Sequence, residues 1–150
     1  MKKYFLSAAL ILFTLFAFPI QYGYCKSQTP EELVRDFYIW YFKTYNENLD
    51  PENSPELYKY VAAETAEYIQ KNPPQDIFYF TKATMAGAVW RTAKAAVAKS
   101  VPLGSDIFIV PVTIKVRGKD YLEDFYVVAF VKKENGSFYI TKVVNIYPYF

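Results

Sequence analysis

The 150-residue chain contains no histidine, one cysteine and five glycines. Without histidine there is no Ser-His-Asp or Cys-His catalysis, no His-ligated metal, and no side chain whose ordinary titration falls near neutral pH. Cys25 has no second cysteine to pair with in the chain, so no internal disulfide restrains it. No glycine-rich phosphate loop, paired cysteine ligands or calcium-loop spacing is present, and no cofactor is called for. What is abundant is apolar and aromatic: 53% of residues are hydrophobic and 20% are Phe, Trp or Tyr, enough for one packed domain.

Lys2 and Lys3 precede an uncharged run from Tyr4 to Cys25, densest over Phe5–Phe18 and stopped by Pro19. This reads as an export leader, with Gly23 and Cys25 as the small residues for a cut before Lys26. The expected organisation is a signal peptide over 1–25 and one domain over 26–150, in the periplasm or outside the cell. A retained membrane anchor is the competing reading, and Cys25 also invites lipidation. Against these stand the shortness of the strongly apolar part and the tyrosines, Tyr22 and Tyr24, where a lipobox would have Leu and a small residue.

Removing Lys2 and Lys3 from 17 cations leaves 15 against 15 carboxylates. Residues 26–80 hold five positive and ten negative groups, residues 81–150 ten and five. That split predicts an acidic helical layer on a basic sheet layer, and it could also steer a charged partner. A neutral total argues against nucleic acid.

Thr29-Pro30-Glu31-Glu32 is a capping box with Pro at the first helical position, which predicts a helix over 30–45. Its inward face is Leu33, Val34, Phe37, Tyr38, Tyr41 and Tyr45, broadened by Ile39, Trp40 and Phe42. Ser54-Pro55 starts a second predicted helix to about Gln70, with Leu57, Tyr58, Val61, Thr65, Tyr68 and Ile69 inward and Asn72-Pro73-Pro74 as its stop. Residues 83–100 are rich in Ala and read as helix by propensity, although Ala93, Ala95, Val97, Lys99 and Val101 also alternate as in a strand. Phe108 to Val116 alternates clearly, and Arg117-Gly118-Lys119 turns the chain. Phe125–Lys132 and Phe138–Tyr147 flank Asn135-Gly136, which suits a type I′ hairpin and accounts for Asn135-Gly136-Ser137 without a sugar. That turn pairs residues whose numbers sum to 271: Phe125, Val127, Ala129 and Val131 against Ile146, Val144, Lys142 and Ile140. The reverse face carries Tyr126, Val128 and Phe130 with Asn145, Val143 and Thr141, and is apolar enough to need a cover.

The leader, the two capped helix starts, Asp76-Ile77-Phe78, Trp90 and the closing NGSFYITKVVNI together resemble the nuclear transport factor 2-like superfamily, a cystatin-like roll. More narrowly, they are similar to a bacterial family of small exported proteins, several of them lipoproteins. The resemblance implies an α+β fold, N-terminal helices packed on a curved antiparallel sheet, and it moves residues 92–101 from helix to strand. It also implies a recess between helix and sheet. Thr84-Met85 stands where relatives have Gln-Asp, and the lipobox is missing.

The functional expectation is an exported, noncatalytic module holding an apolar small ligand, a protein partner or a second copy through its sheet face. Its candidate binding residues are Tyr38, Trp40, Tyr41, Trp90, Arg91, Tyr126 and Asn145. The surplus of Tyr supports this, since each offers an apolar body and a polar tip, and the aromatic end Tyr147-Pro148-Tyr149-Phe150 points the same way. The alternative is a cofactor-free enzyme of ketosteroid-isomerase type, with a carboxylate from Asp36, Asp76 or Asp124 and donors from Tyr38, Tyr41 or Tyr126. A further alternative is neutralisation of a secreted toxin by covering it.

Overall fold

The computed structural model describes residues 28–73, 77–83, 92–117 and 122–146. The leader, Asp76, Trp90, Arg91 and the aromatic end lie outside the described residues.

Helix α1 spans Pro30–Asn46. The Thr29 hydroxyl accepts the Glu32 amide at 3.2 Å and the Glu32 carboxylate accepts the Thr29 amide at 2.9 Å, so two otherwise orphaned donors are satisfied reciprocally. Leu33, Val34, Phe37, Tyr38, Tyr41 and Phe42 are buried, whereas Ile39 is 63% exposed. The aromatic width of the helix is therefore absorbed on one broad flank.

The second predicted helix is broken in two. Pro55–Lys59 is a 3-10 turn capped by the Ser54 hydroxyl, and helix α2 is Ala63–Lys71. Between them the chain is extended: the Ile140 amide donates to the Tyr60 carbonyl at 2.8 Å and the Ala62 amide to the Ile140 carbonyl at 3.0 Å. Two hydrogen bonds to a sheet edge displace helix continuation there, a tertiary override of local propensity. Leu57, Val61 and Ile69 are buried as expected, but Tyr58 and Tyr68 are exposed and Ala66 takes the inward place.

Five strands follow: β1 Lys94–Val97, β2 Val101–Pro102, β3 Ile107–Arg117, β4 Leu122–Glu134 and β5 Ser137–Asn145. The open antiparallel sheet runs β1-β3-β4-β5, with β2 also on β3. The result is an α+β fold with the helices packed on one face of a curved sheet. Val110, Val112, Ile114 and Val116 of β3, Val127, Ala129 and Val131 of β4, and Ile140 and Val143 of β5 form the floor beneath α1.

Two register slips correct the sequence reading. Pairing from the Asn135-Gly136 turn sums to 271 as far as Val131 and Ile140, then shifts so that Ala129 faces Val143 and Phe130 faces Lys142. The extra residue is Thr141. Without the slip, Lys142 would face Ala129 and the core. The bulge turns it outward and brings Val143 in. On the other edge, Val97 pairs Val112 but Val101 pairs Ile109, so the expected single strand over 92–101 is two pieces with one added residue between them. Ala95 and Val97 pack on the core, while Val101 has changed face and lies exposed.

Candidate functional site

The space between α1 and the sheet is filled by the protein's own rings. Phe37 lies 4.7 Å from Phe80, 5.0 Å from Tyr38 and 5.5 Å from Tyr41, centroid to centroid. The buried Tyr38 hydroxyl donates to the Phe80 carbonyl at 2.8 Å, and burial pushes its pKa far above the usual tyrosine value. Tyr41 is equally buried and donates to Glu52 Oε1 at 3.2 Å. Both tyrosines on the inward side of α1 thus meet the need of a buried hydroxyl for a partner within the fold.

Glu52 carries no signal of its own in the sequence, because it sits in the polar connection NENLDPENSP, residues 46–55. Asp50 folds that connection back by accepting the Glu52 amide at 2.9 Å, and the Gln70 amide group donates to the Glu52 carbonyl at 3.2 Å. Burial raises the Glu52 pKa and Asp50 adds to it, while the Tyr41 hydroxyl and the Tyr79 amide pull the other way. The one available signal was indirect: an inward Tyr41 requires an acceptor. The pair has the residue types of acid–base chemistry, but ring packing encloses it. The carboxylates named from sequence do not converge: Asp36 is exposed on α1, where it accepts from Gln28 at 3.4 Å, and Asp124 lies on β4 opposite Lys115.

The remaining binding candidates are also dispersed. Trp40 is half-buried, stacks on Tyr60 at 5.3 Å and donates its indole N–H to Glu56 at 2.9 Å. Asn145 pairs with Val127 and borders a shallow groove with Tyr68, Ile77, Tyr79 and Lys82. Tyr126 projects from the opposite face of the sheet and is 41% exposed. The bulge at Thr141 places it beside Ile146, whose amide donates to the Tyr126 carbonyl at 2.9 Å, rather than beside Asn145.

Tyr126 belongs to the extended apolar surface that the described residues leave open. On this outer face the register sets Ala96, Thr113 and Tyr126 in one row, Pro111, Val128 and Val144 in the next, and Val101, Ile109 and Phe130 in a third. Val128 is shielded by its neighbours, whereas Val101, Ile107, Tyr126 and Ile146 are exposed. Pro111 fits a central strand because β1 ends beside it: the Ala98 amide donates to its carbonyl at 2.9 Å, and the missing N–H points the same way. Charged groups border the apolar rows, with Lys94, Lys115 and Arg117 at one end, Lys132 and Glu134 paired at 2.7 Å at the other, and Lys142 on β5. An apolar centre with a charged rim is the usual anatomy of a protein interface.

Among the described residues, no helix is long and apolar enough to cross a membrane. No family model and no curated protein sequence matches the chain. Among solved structures, it is similar in fold to a chain of the type VI native effector–immunity complex Tae3–Tai3 from Ralstonia pickettii, at 23% identity and a TM-score of 0.62, over 81% of this chain and 98% of that one.

Proposed function

We propose that the protein is an exported, noncatalytic interaction module that docks a protein partner on the outer face of its sheet, and that its role is to cover a secreted toxin. The observation that carries this reading is the contrast within the fold: the inner recess is occupied by Phe37, Tyr38, Tyr41 and Phe80, while the outer face keeps Tyr126, Val101 and Ile146 exposed beside Val128 and Phe130. In that ring-filled recess a small apolar ligand would have to displace core side chains, whereas a protein surface has an accessible place to sit on the outer face. The similarity to a chain from an effector–immunity complex supports a toxin as the partner class. The leader reading supports a periplasmic or extracellular setting. Membership of the nuclear transport factor 2-like superfamily remains part of the proposal, on the strength of the closing strand pattern and the helix-on-curved-sheet arrangement.

The test is co-expression of the chain from Lys26 onward with the product of the adjacent gene, followed by size-exclusion chromatography with light scattering. A stable heteromeric complex is expected. Tyr126→Ala and Phe130→Ala should each weaken it by about tenfold or more, the behaviour of aromatic anchors at an interface. Separate elution of the two proteins, together with undiminished toxicity of the neighbour in cells expressing this chain, would overturn the proposal.

A further inference from the structure

We infer that the partner presents an acidic surface to this face, and that Lys94, Lys115 and Arg117 form the corner that recognises it. The inference rests on the outer face being the docking surface. Among the described residues that face carries Lys94, Lys115, Arg117, Lys132 and Lys142 against Asp124 and Glu134 only. Glu134 is already engaged by Lys132 at 2.7 Å. The excess of positive charge is concentrated where β1 meets β3.

The local register sharpens the argument. Lys94 and Lys115 stand directly opposite one another across the β1–β3 ladder, an arrangement in which like charges repel and weaken the pairing. Asp124 is Lys115's opposite number on β4 and gives that row a single carboxylate for two ammonium groups. Arg117 follows two residues along the same face, and its backbone is held by Thr92: the Arg117 amide donates to the Thr92 hydroxyl at 3.1 Å, and that hydroxyl donates to the Arg117 carbonyl. Thr92, Lys94, Lys115 and Arg117 line a depression of about 550 Å³, wide enough to accept projecting side chains. Carboxylates there would relieve the repulsion between the two lysines and give the guanidinium a two-pronged acceptor.

The same count argues against a second copy as occupant. A twofold contact applies one patch to itself, so it would bring this excess of cations against an identical excess. A different protein with an acidic rim around an apolar centre meets the face without that repulsion, and opposite charge would also speed encounter.

The experiment places a photo-crosslinking benzoylphenylalanine at Thr113 or Tyr126 on the outer face, or at Ile39 on α1, in the full-length protein in its host. The crosslinked protein is identified by mass spectrometry and purified. Its association rate is then measured with wild-type chain, K94E, K115E, R117E, the triple variant and K43E, at low and high salt. The expected result is an adduct with one other protein from Thr113 and Tyr126 but not from Ile39. Each reversal should slow association several-fold and the triple variant about a hundredfold at low salt, converging at high salt, with K43E unchanged. Replacing Asp or Glu of the crosslinked partner peptide by Lys should restore binding to K115E.

Adducts with this chain itself, adducts from Ile39 alone, or rates indifferent to the reversals would overturn the inference. Those outcomes leave a protein-interaction role standing. Absence of any adduct from all three positions would overturn both that role and the inference.

Discussion

The two edges of the sheet solve the same problem differently. At β5 the edge is closed by the helical layer: Tyr60 and Ala62 exchange hydrogen bonds with Ile140, the Thr65 hydroxyl donates to the Thr141 carbonyl at 2.7 Å, and the Val143 amide reaches the Tyr79 hydroxyl. At β1–β2 the edge is left unpaired by strand among the described residues and is blunted by shortness, by Lys94 and Lys99, and by Pro102. Beside the packing of Ala95 and Val97 on the core, it is tied to the helical layer by the Ser100 amide, which donates to Glu31 Oε1 at 2.7 Å. Both edges slip by one residue, and in each case the tie falls at the slip: Thr65 at Thr141, Glu31 at Ser100. A register change that looks like irregularity along one strand is thus where a side chain from the other layer takes hold. Both ties are partly buried, but one is between neutral groups and the other is to a carboxylate.

Truncation should separate the edges most strongly. Ile140→Ala removes a fully buried side chain from the closed edge and is expected to cost about 2–5 kcal/mol, whereas Val97→Ala on the half-buried open edge should cost about 1 kcal/mol, both read from urea unfolding. Equal losses would mean that the open edge is covered as fully as the closed one.

Next come the two ties. Thr65→Val keeps the shape but strands the Thr141 carbonyl, at a cost of about 1 kcal/mol that does not vary with pH. Glu31→Gln should cost a similar or smaller amount, and only above a threshold pH. Partial burial would raise the Glu31 pKa, but hydrogen bonds from Ser100, from its own amide and from Thr29 outweigh that and hold it at about 2. Because the folded-state pKa is depressed, its stabilisation is complete above the unfolded value near 4.5 and fades as pH falls towards 2. Wild type and Glu31→Gln should therefore differ at pH 6 and converge near pH 2. Glu52 has the opposite sign. Its folded-state pKa is raised, so stability declines as pH rises from 4.5 through that higher value, and Glu52→Gln should remove the decline.

The smallest effect is on exchange rather than on stability. The Ala95 and Val97 amides alternate with the Ala98 amide and point away from β3, so they should exchange with solvent far faster than the Ala62 and Ile140 amides. Matching protection factors would show that another segment pairs with β1.

Much of this fold was readable in local chemistry. The Thr29 capping box, the Asn135-Gly136 turn and the alternation of β3 each depend on a few neighbouring residues, and each appears as expected. The break at Tyr60–Ala62 and the bulge at Thr141 were not readable, because both are decided by contacts some 75–80 residues away in sequence. Alanine propensity failed at Ala95 and Ala96 for the same reason, since pairing with Ile114 and Thr113 outweighs it. The site was less legible than the fold. Tyr38, Tyr41 and Tyr126 were all candidate binding residues, yet two are sealed within the core and one stands in solvent. Helical phase places the first two and strand parity the third, not composition.

The tight Asn135-Gly136 corner, with φ of 51° and 85°, has a consequence for how the chain comes together. It joins β4 to β5 through short-range contacts, so a locally organised piece of the sheet leaves the ribosome or an export channel well after α1. Helix α1, with Phe37, Tyr38 and Tyr41 along its flank, emerges before it and can meet Tyr60 and Phe80 early, but the strand floor beneath it is complete only when β3, β4 and β5 have followed. Until then part of its aromatic flank must stay uncovered or be escorted.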